Sequence, residues 1–87
     1  MSRMIIHSHF MLSPRQVLDT YYLEARRDIL EIAALLDRYD AAVKREGTPA
    51  EDESKLVLLR RALAELADSS PPSKDRANTM LELFAEI

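Results

Sequence analysis

The sequence contains no cysteine and no tryptophan, and its 87 residues include one glycine and four prolines. The lack of cysteine excludes disulfide frameworks, thiolate zinc sites and thiol catalysis. A single glycine excludes Gly-rich phosphate loops and dinucleotide fingerprints, which need several glycines. So few turn-forming residues predict long secondary-structure elements joined by few loops. No signature of an activity is left, so the residues indicate an architecture more directly than a function.

The sequence also has neither a strong excess of one charge nor a long hydrophobic segment. The 12 basic and 15 acidic residues give a net charge of −3 and are spread along the chain, which leaves no electropositive surface for nucleic acid. No stretch approaches the ~20 apolar residues that cross a bilayer, and the N-terminus does not resemble a signal peptide. We therefore expect a cytoplasmic protein that binds neither nucleic acid nor membranes. The length predicts a single domain over residues 1–87.

A complete helix start stands near the N-terminus. Ser13 is suited to the N-cap, Pro14 to the first helical position and Gln16 to the third, where it completes a capping box. Gly47 provides the stop. The first helix is predicted over 13–46, about 50 Å long at 1.5 Å per residue, after an N-terminal tail over 1–12.

Two shorter helices are predicted after Gly47. Thr48 and Pro49 repeat the start signature, so the second helix is predicted over 48–68. Between the first and the second helix the chain must reverse its direction within about two residues, which predicts an antiparallel helical hairpin. Apolar residues at helical spacing predict a third helix over 73–87. The expected fold class is all-α, a long antiparallel helical hairpin plus a short C-terminal helix.

Apolar residues form a heptad seam along the first helix, at the alternating spacings of four and three that are typical of a coiled coil. The seam consists of Leu18, Tyr22, Ala25, Ile29, Ile32, Leu36, Tyr39 and Val43, and an answering seam in the second helix consists of Leu56, Leu59, Leu63 and Leu66. Residues 29–36 are apolar around almost the whole helix, which indicates cover on several sides. The second helix reaches along only about 30 Å of the first.

We therefore expect a homodimer in which two hairpins form a four-helix-bundle-like assembly. The residues assigned to the dimer or partner interface are Leu18, Tyr21, Tyr22, Ile29, Leu30, Leu35 and Phe84. The same apolar helix surface could also bind another protein.

Acidic residues form a stripe on the first helix that is a candidate metal site. Glu24, Asp28 and Glu31 lie at i, i+4 and i+7, so two such stripes could meet around a metal ion in a dimer. Carboxylate-bridged dimetal bundles also use a Glu-x-x-His pair, and no histidine falls in a predicted helix. Arg27 and Arg38 would neutralise the stripe, so a solvated face of mixed charge is the favoured interpretation and no cofactor is predicted.

Three functions stay open on the sequence. A non-catalytic, homodimeric protein-interaction or scaffold module leads, because excess apolar helix surface comes without catalytic groups. A carboxylate-based metal-binding bundle is the first alternative. A small enzyme with carboxylate acid–base chemistry in a dimer cleft is the second, and it requires an acid with a strongly shifted pKa in a concave pocket. His7 and His9 could lie on one side of an extended segment, but two ligands do not make a metal site.

Overall fold

The described part of the chain is all-α, with one long and two shorter helices, as predicted. A computed structural model describes residues 11–68, 70–71 and 75–85. The helices are α1 (Pro14–Glu46), α2 (Ser54–Ala67) and α3 (Arg76–Phe84). The chain divides into two compact units, one containing α1 and the other containing α2 and α3. The single domain and the helical hairpin stay predictions.

The predicted start and stop of α1 are confirmed. The backbone N–H of Gln16 donates to Oγ of Ser13 at 3.1 Å, and the N–H of Ser13 donates back to Oε1 of Gln16 at 2.9 Å, which completes the capping box. The helix ends at Glu46, and Gly47 follows with φ 81°, the left-handed conformation that glycine adopts without a steric penalty. Both ends of α1 are therefore fixed by local interactions.

The predicted start of the second helix is wrong, because α2 begins at Ser54 and not at Thr48. The hydroxyl of Thr48 donates to the carbonyl oxygen of Pro49 at 3.4 Å. The carboxylate of Asp52 instead accepts the backbone N–H of Ser54 at 2.9 Å, which satisfies an N–H at the helix start that has no intrahelical partner. Hydrogen bonds with Ser54 hold the pKa of Asp52 below its ordinary value. The bond with the Ser54 side chain has the largest effect, and the bond with its backbone has the next largest.

The core of the second unit forms where α2 and α3 contact each other. Leu58 and Ala62 of α2 are buried together with Leu83 of α3, and Met80 packs against them. Leu58 and Ala62 are four residues apart, so they share one face of α2. This face is distinct from the seam predicted for the second helix, of which Leu56, Leu59 and Leu63 are half-buried and Leu66 is exposed.

The third helix begins at Arg76, with Asp75 as its N-cap. The carboxylate of Asp75 accepts the backbone N–H of Asn78 at 3.2 Å. The predicted start at residue 73 and the predicted end at residue 87 lie outside the described residues, as do residues 1–10 of the predicted tail.

Candidate interaction surface

The apolar seam of α1 changes its exposure along the helix. None of the 33 residues of α1 is buried. In the C-terminal half the seam residues are half-buried: Ile32, Leu36, Tyr39 and Val43. In the N-terminal half Leu18, Tyr22 and Ile29 are 69%, 60% and 64% exposed, and Ala25 between them is exposed as well. We call Leu18, Tyr22, Ala25 and Ile29 the exposed seam.

The exposed seam is a continuous apolar stripe. Its first and last members are 11 residues apart, which corresponds to about 16 Å along the helix axis. Spacings of four, three and four keep the side chains on one face. A helix that packs in a globular protein turns such a stripe towards a neighbour. The stripe is therefore the candidate interaction surface of this unit.

The interface residues predicted from the sequence do not all share this face. Leu18, Tyr22 and Ile29 belong to the exposed seam. Tyr21 and Leu35 each come one residue before a seam position, so they lie beside it, and both are exposed. Leu30 is exposed too, but it follows Ile29 by one residue and lies on the other side of the seam. The structure thus brings three of these residues into one stripe and places the other three along its two sides.

Phe84, the last predicted interface residue, lies in the second unit. It is exposed and borders an apolar groove together with Lys55, Leu58 and Leu59. Phe84 is the last residue of α3, so the groove lies on α2 beside the C-terminal end of α3. This groove belongs to the second unit, whereas the exposed seam belongs to the first.

The acidic stripe lies on α1 as predicted, but its carboxylates have different surroundings. Asp28 accepts a hydrogen bond from Arg27, whose Nη2 lies 3.2 Å from Oδ1. Glu31 is exposed and lines a shallow groove that also includes Arg27 and Arg38, whereas Glu24 is half-buried. Within residues 11–68, 70–71 and 75–85, no three His, Cys, Asp or Glu side chains are grouped as metal ligands. The metal site at this stripe stays a prediction.

Charged residues follow the exposed seam on one side. Asp19 comes directly after Leu18, and Arg26 comes directly after Ala25. Oδ2 of Asp19 lies 3.6 Å from Nε of Arg15, and the Asp19 side chain is still largely exposed. Neither Asp19 nor Arg26 is among the residues predicted to form a site, although the heptad spacing places both next to the seam. Exposure of both residues leaves their charges accessible to a second molecule.

Comparison of the chain with models of protein families, with curated proteins and with solved structures gives no match. In the part of the chain that the structure describes, no helix has both the length and the hydropathy needed to cross a membrane.

Proposed function

We propose that this protein is a non-catalytic, homodimeric protein-interaction or scaffold module, in which the exposed seam of α1 binds a second copy of the chain. The observation that carries the proposal is the exposure of three large apolar side chains on one face of a helix that has a regular heptad pattern. A second copy always presents the same stripe, so the surface is complementary to itself in its hydrophobicity.

The size of the seam supports a reversible dimer. The exposed fractions of Leu18, Tyr22 and Ile29 add up to about two whole side chains per protomer. Burying one large apolar side chain is worth about 1.5–3 kcal/mol, so two protomers together gain about 6–12 kcal/mol. Association costs about 4–15 kcal/mol in lost freedom. Because the gain and the cost are of similar size, we expect an equilibrium that depends on protein concentration.

The proposal includes the larger assembly expected from the sequence. In it, each chain folds as an antiparallel hairpin of its first two helices, and two hairpins form a four-helix-bundle-like dimer. A cytoplasmic location belongs to the proposal as well. Another protein bound to the same surface is the alternative occupant, and it would leave the isolated chain monomeric.

Two matched leucine substitutions test the proposal. Leu18 in the exposed seam and Leu23 on another side of α1 are 69% and 71% exposed, so lysine at either position costs little in an isolated chain. We expect Leu18→Lys to shift the chain from dimer to monomer in sedimentation equilibrium, because it places a charge in the interface. Leu23→Lys should sediment like the wild type. Circular dichroism should show equal helix content in all three proteins, and equal dimerisation of the two variants would contradict the proposal.

A further inference from the structure

We infer that the two α1 helices of the dimer run antiparallel, with their crossing point between Leu23 and Glu24, and that Asp19 of each chain pairs with the partner's Arg26. This inference rests on the proposed homodimer and adds its orientation, its register and the polar contact that fixes them.

Two kinds of position flank the core of a coiled coil. In heptad terms Tyr22 and Ile29 occupy position a, and Leu18 and Ala25 occupy position d. The position after d is e and the position before a is g, and charges at e and g set the orientation of the partners. On α1, Asp19 and Arg26 therefore stand at e, and Tyr21 and Asp28 stand at g, with all four side chains exposed.

An antiparallel pair matches these residues. Positions a and d then face each other, which places Leu18 against the partner's Ile29 and Tyr22 against the partner's Ala25. The large Tyr22 ring meets a small side chain, which favours close packing. Positions e face each other, so Asp19 meets the partner's Arg26, and the two-fold axis repeats this pair. On the other side, Tyr21 stands near the partner's Asp28.

A parallel pair offers no such match. Each seam residue would meet its own copy, so the two Tyr22 rings would face each other and the two Ala25 side chains would leave a gap. Positions g and e of successive heptads would bring Asp28 towards the partner's Ala33 and Tyr21 towards the partner's Arg26. No pair of opposite charges forms across this interface between residues 18 and 33.

The register follows from the same charges. A shift of the antiparallel pair by one heptad towards the C-terminus would place Arg26 against the partner's Arg26 and Asp28 against the partner's Asp28. Like charges that face each other are destabilising. The shift would also place Leu18 against the partner's Leu36, which is already half-buried. The register centred between Leu23 and Glu24 is the one that joins the exposed seam residues with each other.

Asp19 can make this contact without giving up its present one. It forms an ion pair with Arg15 of the same helix, whose Nε lies 3.6 Å from Oδ2, and both side chains are largely exposed. A carboxylate has two oxygens with about four acceptor sites, so it can accept from two arginines. Arg26 is exposed about two turns further along the helix than Asp19.

Disulfide crosslinking distinguishes the two orientations, and the chain has no cysteine that could interfere. We would prepare L18C and I29C separately, tag one of them to distinguish the masses, and oxidise each alone and as a mixture. The antiparallel pair predicts a disulfide between L18C and I29C chains in the mixture. It predicts little self-linking, because the two L18C sites are about 16 Å apart along the axis. Efficient self-linking of each variant, or no linking in any sample, would overturn the inference.

Charge reversal tests the named pair. We expect D19R and R26D each to raise the dimer Kd roughly tenfold, since like charges would then face each other at two symmetric places. The double variant D19R/R26D restores opposite charges across the interface, and its Kd should return to within about threefold of the wild-type value. D37R is the matched control, since Asp37 is exposed on α1 beyond the paired segment, and its Kd should stay unchanged. Additive weakening in the double variant would contradict the Asp19–Arg26 pair.

Failure of the inference and failure of the proposed dimer give different results. If the wild-type chain is a monomer in sedimentation equilibrium, the proposed function is wrong and the orientation is wrong with it. If the wild-type chain is a dimer but L18C and I29C link only to themselves, the dimer stands and the antiparallel orientation is overturned.

Discussion

Truncation of Ile29 should weaken dimerisation without weakening the isolated helix. Ile29 is 64% exposed in α1, and alanine has a higher helix propensity than isoleucine, so Ile29→Ala should leave the helix content unchanged or slightly raised. In the proposed dimer the exposed part of the side chain becomes buried. Burying a whole isoleucine side chain contributes about 1.5–3 kcal/mol of free energy. Burying the exposed part therefore contributes about 1–2 kcal/mol per chain and about 2–4 kcal/mol per dimer to the free energy of association.

This loss corresponds to a dimer Kd that rises by about 30-fold to several hundred-fold, since about 1.4 kcal/mol changes an equilibrium constant tenfold. Sedimentation equilibrium over a range of protein concentrations measures this Kd, and circular dichroism measures the helix content. Leu23→Ala is the control on the same helix, because Leu23 is 71% exposed and lies off the seam. The reasoning is refuted if Ile29→Ala and Leu23→Ala change the Kd equally.

The remaining predictions concern the end of α1, the start of α2 and the core between α2 and α3. Gly47→Ala should lower the free energy of unfolding by about 1–2 kcal/mol in chemical denaturation, because φ 81° is unfavourable for alanine although no atom lies within 4 Å of the added Cβ. Leu83→Ala should remove about 2–5 kcal/mol from the same quantity, because Leu83 is one of the buried residues between α2 and α3. The pKa of Asp52 is lowered, so its charged form stabilises the start of α2. This stabilisation is present above the ordinary pKa of 3.8 and is lost as the pH falls below that value. In a titration from about pH 5 to pH 2 followed by circular dichroism, Asp52→Asn should therefore lose less helix content than the wild type.

The sequence predicts α1 well because the signals at its ends are local. The reciprocal bonds of Ser13 and Gln16 and the left-handed Gly47 need no tertiary partner, so residue type and spacing are sufficient. The sequence predicts the start of α2 six residues too early, because two start signals compete there. Thr48 has the spacing of a capping box, but Asp52 lies two residues before Ser54 and binds its backbone N–H.

The core of the second unit could be predicted only in part, because α3 is short. Nine residues contain few apolar positions, so their spacing alone does not decide which side packs against a neighbour. Met80 and Leu81 both fit a helical spacing in the sequence, yet Met80 packs on the core and Leu81 is exposed, and Leu83 is the buried residue of α3. The face of α2 that carries Leu58 and Ala62 depends on where α3 lies, and this is a tertiary property.

The candidate surface could be predicted from the sequence only in part. The heptad spacing places Leu18, Tyr22 and Ile29 in one stripe that continues to Val43. It does not show that the stripe changes from exposed to half-buried after Ile29, because exposure depends on three-dimensional surroundings. Leu30 is one of the predicted interface residues, but its helical position places it beside the exposed seam.

Self-association through the exposed seam can be checked by the molar mass of the wild-type chain in sedimentation equilibrium. The chain has a mass of 9.9 kDa. If the exposed seam binds a second copy, the mass should approach twice this value at high protein concentration and fall towards 9.9 kDa on dilution. A mass of 9.9 kDa at every concentration, with the helix content intact, would contradict the account.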